Sequence, residues 1–118
     1  MNEFDSGTPI YIQVINKLKK QMALSEIKPG DKLPSSRDLA IEYSINPNTA
    51  SRVYREMELL GLCYTKRGLG TFVTENTVMV NSIKKNMANQ YTKKYISSMG
   101  SLGYAKNEMI KLIESEEN

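Results

Sequence analysis

The interval Ser44-Ile45-Asn46-Pro47 constrains this chain more than any other feature. Asn46 is a strong N-cap, and Pro47 suits the first helical position, where a missing N–H would have had no partner anyway. Upstream, Leu33-Pro34-Ser35-Ser36-Arg37-Asp38 opens a short helix whose apolar face is Leu39, Ala40 and Tyr43. Ser35 and Asp38 resemble a capping box with Asp in the usual place of Glu. Downstream, Ala50, Val53, Tyr54, Met57 and Leu60 form the buried stripe of a helix from Pro47 to Leu60. Gly61 follows as a C′ residue able to take positive φ. Two helices joined by three or four residues have helix-turn-helix spacing.

The flanks extend this motif. Thr8-Pro9 predicts a helix start, and Tyr11, Val14, Ile15, Leu18 and Met22 recur at the 3–4 spacing of one buried face. Lys28-Pro29-Gly30-Asp31 ends that helix in a type II turn. After Gly61, two β-prone runs, Leu62–Lys66 and Thr71–Thr74, flank Arg67-Gly68-Leu69-Gly70 and read as a hairpin. Three helices followed by a hairpin is the winged helix-turn-helix order. From Glu75 on, Val80, Ile83, Met87, Tyr91, Tyr95 and Met99 mark one long helix. Gly100-Ser101-Leu102-Gly103 breaks it, and Met109, Ile110, Leu112 and Ile113 mark a second, shorter one. The expected class is mainly α with a small β-hairpin: a winged helix-turn-helix domain over residues 1–75 and a two-helix C-terminal dimerisation segment over residues 76–118.

Composition narrows the function. The chain has no histidine and a single cysteine, Cys63. That removes a Cys/His metal cluster, a disulfide framework and the common Ser-His-Asp and Cys-His nucleophile systems. No metal and no cofactor is expected, and no enzyme. Glu56 and Glu58 read as surface residues, and Cys63 as a buried strand residue. No stretch approaches the roughly 18 apolar residues that span a bilayer, and the acidic start lacks an apolar signal region. A cytoplasmic location without membrane contact is the expectation. The net charge is only +3. Residues 1–75 carry 10 Lys/Arg against 9 Asp/Glu, and residues 76–118 carry 6 against 4. Total charge therefore does not argue for nucleic acid; the placement of particular arginines does.

Four runs carry a family resemblance. They are Pro9-Ile10-Tyr11-Ile12-Gln13, then Pro29-Gly30-Asp31-Lys32-Leu33-Pro34-Ser35-Ser36-Arg37-Asp38-Leu39-Ala40, then Asn46-Pro47-Asn48-Thr49-Ala50-Ser51-Arg52-Val53-Tyr54, closed by Gly68-Leu69-Gly70-Thr71-Phe72-Val73. In order and spacing, residues 8–74 resemble the GntR family of bacterial regulators. The tail resembles the two-helix segment of its short YtrA-like branch. Two positions depart from the family pattern. Ala50 stands where a β-branched residue is usual, and Ala105 stands where a capping Ser is common, with Glu108 keeping the other half of that box.

On the third helix, Asn48, Ser51, Arg52 and Arg55 lie opposite the buried stripe, with Thr49 at the flank. Arg52 can present two parallel N–H donors to a guanine edge. Arg55, almost one turn on, reaches a base or a phosphate. Asn48 and Thr49 stand at a helix N-terminus, where phosphate binds readily. Ser35 and Ser36 can donate to phosphate, and the resemblance implies a DNA contact from Arg37. In the wing, Lys66 and Arg67 supply cations, and Gly68 and Gly70 let backbone approach a groove or phosphate closely.

The tail helices cannot bury their stripe alone, so Val80, Ile83, Met87, Tyr91, Tyr95 and Met99 are expected to face a second copy in a C2 homodimer. The partner is then a pseudo-palindromic double-stranded DNA operator, with half-sites about one helical turn or a multiple apart. A small-molecule effector, if one acts, is unidentified; a pocket at the dimer interface lined by Tyr91, Tyr95 and Met residues would be its place. The resemblance implies a repressor, in this branch often of transporter operons.

Overall fold

The computed structural model describes residues 4–117. Helix α1 spans Ile10–Ala23 and buries Val14, Ile15, Leu18 and Met22. Its N-cap is Pro9, one residue after the Thr8 suggested by the sequence. The Thr8 carbonyl instead accepts a hydrogen bond from Gln13 Nε2 at 2.7 Å. Pro29-Gly30 turns the chain with Gly30 at φ +82°. The Asp31 N–H closes the turn on the Lys28 carbonyl at 2.9 Å, and the Asp31 carboxylate takes the Lys28 N–H at 2.8 Å.

Helices α2, Ser36–Tyr43, and α3, Pro47–Leu59, form the helix-turn-helix. Ser35 Oγ accepts the Asp38 N–H at 3.0 Å, so the expected cap is in place. Asn46 Oδ1 accepts the Asn48 N–H at 2.8 Å and starts α3 as expected. Between them Ser44 adopts a left-handed conformation, φ 55° and ψ 47°. Its N–H bonds Ile41 O while the Ile45 N–H bonds Ala40 O, which satisfies carbonyls the helix end would leave open. Gly61, φ +77°, repeats this closure after α3, with Gly61 N–H on Glu58 O and Leu62 N–H on Met57 O.

Strands β1, Cys63–Lys66, and β2, Gly70–Val73, pair antiparallel in the register Cys63↔Val73 to Lys66↔Gly70. The Leu69 N–H bonds Lys66 O across the tip, and Gly68 there has φ +80°. By local pattern residues 30–33 are only a turn and a helix entry. They also run along β2. Gly30 N–H bonds Val73 O, Val73 N–H bonds Asp31 O, Leu33 N–H bonds Thr71 O, and Lys32 bridges Phe72. The wing is thereby stitched to the entry of α2.

The core lies where α1, α2 and α3 meet the hairpin. Val14, Leu39, Ala50, Val53 and Met57 are fully buried there, with Met22 and Val73 nearly so. The hydroxyl of buried Tyr54 donates to the Pro34 carbonyl and ties α3 to the start of α2. Burial pushes that phenol well above its ordinary range. Cys63 is buried as expected. Its Sγ–H donates to the Tyr54 carbonyl at 3.6 Å, and burial together with the nearby Glu58 pushes its thiol up to about 11.

Helix α4, Thr77–Gly100, starts on Asn76, whose Oδ1 accepts the Met79 N–H at 3.1 Å. Helix α5 follows at Lys106–Ser115. Ala105 offers α5 no side-chain cap, but Glu108 Oε1 accepts the Ala105 N–H at 2.9 Å, so the half box survives. The chain divides into two compact units between Lys84 and Lys85, inside α4. The boundary expected from the sequence lies earlier, at residue 75. The start of α4 goes with the first unit because the Met79 methyl sits against Gly61 and Ile83 is buried.

Candidate nucleic-acid interface

The site is built on α3, which separates its faces sharply. Ala50, Val53, Tyr54 and Met57 are buried, while Asn48, Ser51, Arg52 and Arg55 are exposed and Thr49 is half-buried. The Asn48 backbone N–H is already held by Asn46, so this position offers a phosphate its side chain rather than its amide. Arg55 projects from the same face as Ser51 and Arg52, about one turn on.

Arg52 does not extend freely. Its guanidinium carbon lies 3.9 Å from the centre of the Tyr11 ring, in the second residue of α1. This contact between α1 and α3 was not legible in the sequence, where Tyr11 read as one more core position.

At the start of α2, Arg37 is exposed, Ser36 half-buried and Ser35 exposed. Ser35 Oγ accepts from Asp38 yet keeps its own proton to donate. In the wing, Arg67 is exposed at the tip. Tyr64 and Phe72 stack across the strands, centroids 5.8 Å apart. The Lys66 ammonium lies 5.3 Å from the Phe72 ring centre and 5.8 Å from that of Tyr64. It is drawn over an aromatic pair while remaining exposed. Gly68 has open space around its Cα, whereas a Cβ on Gly70 would meet Lys32 Cε at 2.9 Å. That lysine, which the sequence analysis did not single out, adds an exposed cation beside the wing.

The stripe assigned to dimerisation is unevenly exposed. Val80, Met87, Tyr95 and Met99 are half-buried, and Tyr91 is 53 % exposed. Ile83 departs from the expectation. It is already buried in the single chain, which removes it from any surface a partner could meet. In the second unit, Tyr95, Ile96, Met109, Ile110 and Ile113 line an apolar cleft of about 220 Å³ with Thr92 and Lys106 at its edge. Tyr95, Met99, Leu112 and Ile113 line a second, more open cleft with Glu116. Tyr91, expected in an effector pocket, lines neither of these. Among the described residues no helix is long and apolar enough to cross a membrane, and no cluster of three Cys, Asp or Glu could hold a metal.

A helix-turn-helix with a hairpin wing, its second helix showing arginines and small polar groups outward, defines a winged-helix DNA-binding protein. The family model of bacterial regulatory proteins of the gntR family matches residues 10–73. The chain is 40 % identical over 114 residues to the uncharacterized HTH-type transcriptional regulator YhcF of Bacillus subtilis, covering 97 % of this chain and 94 % of that protein. It is 44 % identical over 93 residues to the HTH-type transcriptional repressor YtrA of the same organism, covering 77 % and 71 %. A GntR family transcriptional regulator from Listeria monocytogenes superposes with a TM-score of 0.89 at 34 % identity, covering 97 % of this chain and all of that one. The chain therefore belongs to the GntR family, whose members are DNA-binding transcriptional regulators and not enzymes.

Proposed function

We propose that this chain is a sequence-specific repressor that binds a pseudo-palindromic operator as a homodimer. The observation that carries this reading is the exposed row Asn48, Ser51, Arg52 and Arg55 on α3, backed by a fully buried stripe. Such a helix enters a major groove with its polar face on the base edges. Arg52 reads a base, Arg55 a base or phosphate, and Ser51 the edge between them. Asn48, Thr49, Ser35, Ser36 and Arg37 grip phosphates on either side and set the register. Arg67 at the wing tip, with Lys66 behind it and the open backbone at Gly68, contacts the flanking groove or backbone.

The tail supplies the two-fold axis. A second copy covers Tyr91, Ile110 and Ile113, which a monomer leaves more than half exposed. A repressor among the relatives supports negative regulation. The resemblance to the short branch adds transporter operons as targets and the cytoplasm as location.

Selection of bound duplexes from random DNA at about 0.15 M salt tests this reading. The expected result is a two-fold symmetric consensus with half-sites about one helical turn or a multiple apart. Retention of DNA without any consensus would overturn it. Arg52→Ala then relaxes one base position, while Lys66→Ala weakens all duplexes alike and lowers the salt slope.

A further inference from the structure

We propose that Tyr11, on α1 and outside the helix-turn-helix, is a positioning residue that aims the Arg52 guanidinium and so sets how sharply one base pair is discriminated. The proposal rests on the reading of Arg52 as a base contact.

The geometry is a cation held face-on. The Arg52 guanidinium carbon is 3.9 Å from the Tyr11 ring centre, well inside the range where the ring quadrupole attracts a cation. A contact with a π-face uses no oxygen acceptor, and Arg52 stays exposed. Its N–H fork therefore remains available to an acceptor pair on a base. An unsupported arginine must surrender its rotamer freedom on binding DNA; one already stacked has given up much of it in the free protein.

The platform is itself held. Tyr11 is half-buried, and its helix packs on α3. Two residues on, Gln13 binds the chain that leads into α1. Its Oε1 accepts the Asp5 N–H at 2.9 Å, and its Nε2 donates to the carbonyls of Asp5 at 2.8 Å and Thr8 at 2.7 Å. The first turn of α1 is thus tied down by the segment that leads into it. A side chain remote from the bases fixes the angle of one that meets them.

The test repeats the duplex selection with full-length Tyr11→Leu, Tyr11→Phe and Arg52→Ala, with thermal melting of each variant. Tyr11→Leu keeps apolar bulk but loses the π-face. Its affinity for the selected operator is expected to fall about fivefold, with preference flattened at the same base position that Arg52→Ala flattens. Tyr11→Phe keeps the ring and stays within about twofold of the parent, with preference intact. The double variant Tyr11→Leu/Arg52→Ala adds no loss beyond Arg52→Ala. If Tyr11→Leu does not fold, Tyr11→Met takes its place with the same expectation. A folded Tyr11→Leu that melts lower yet keeps full preference would make the stack a mere staple between helices and overturn the proposal alone. Arg52→Ala without effect at any base position would instead sink the reading of Arg52, and the proposal with it.

Discussion

In the unit ending at Lys84, helices and wing share one core. Val14, Leu39, Val53 and Met57 have no exposed surface at all. In the unit beginning at Lys85, Met109 is the one apolar side chain buried to a comparable degree among the described residues. Leu102, Ile110 and Ile113 there are more than half exposed. Both units are helical and both carry apolar residues at helical spacing. The difference is that three helices and a hairpin can enclose a volume, whereas the end of α4 and one short helix can only cover one side of each other. Self-sufficiency follows from enclosure, and periodicity alone does not supply it. The first unit has the means to hold a rigid face; the second leaves apolar surface uncovered.

The sharpest break in this comparison is a cavity in the first unit. Met57→Ala should cost about 2–5 kcal/mol in urea unfolding, because the fully buried thioether leaves a hole its neighbours cannot fill. A loss as small as that of a surface substitution would mean the first unit is not the enclosed core described above. The next test moves to the second unit. Ile110→Lys with Ile113→Lys should leave the winged helix folded by circular dichroism while sedimentation shows monomers. Operator affinity should then fall on the order of a hundredfold, since two linked reading heads become independent. Dimers that persist in the double variant would put the interface elsewhere.

Alkaline titration probes the first core more gently. The Cys63 thiol is raised from its ordinary value of 9.0 to about 11 in the folded chain. An acid whose folded pKa is raised favours folding while protonated. Its contribution is complete below the unfolded pKa and is lost as pH climbs to the folded one. Stability should fall between about pH 9 and pH 11. Replacing Cys63 by Ala should flatten that part of the melting-temperature profile. A profile of unchanged slope in the variant would remove Cys63 as the cause. Tyr43 and Tyr54, both raised, act in the same sense at higher pH. The smallest effect is expected at α5. Ala105→Ser should complete the box that Glu108 half makes and add about 1 kcal/mol of helix stability, read by amide exchange in residues 106–109. Unchanged protection there would show that the lone Glu108 bond already suffices.

Much of the architecture was legible from the chain alone. Asn46-Pro47, Pro29-Gly30 and Gly61 punctuate it, and each does what local chemistry requires: a side-chain cap, a turn at φ +82°, and a helix stop at φ +77°. Ala50, Val53, Tyr54 and Met57 of the expected α3 stripe are buried, but Leu60 is not: it falls at the C-cap, beyond the last helical turn, and is 52 % exposed. Such features depend on neighbours within a few residues, so composition and spacing encode them directly. The exposed row of α3 follows as the complement of the stripe.

The tertiary structure alone decided what those residues meet. Residues 30–33 read as a turn, yet they pair with β2, because an edge strand's open N–H and C=O groups take any extended segment that the fold brings alongside. Gly70 has a neighbour the sequence did not show: a Cβ there would meet the end of the Lys32 side chain. Ile83 shared its spacing with the exposed stripe but turned inward, and the first unit reached on to Lys84. Tyr11 counted as core until α1 was laid across α3 and brought its ring under Arg52. Each of these joins positions far apart in the chain. Local propensity is a property of single segments, and contact between segments is settled only when they pack.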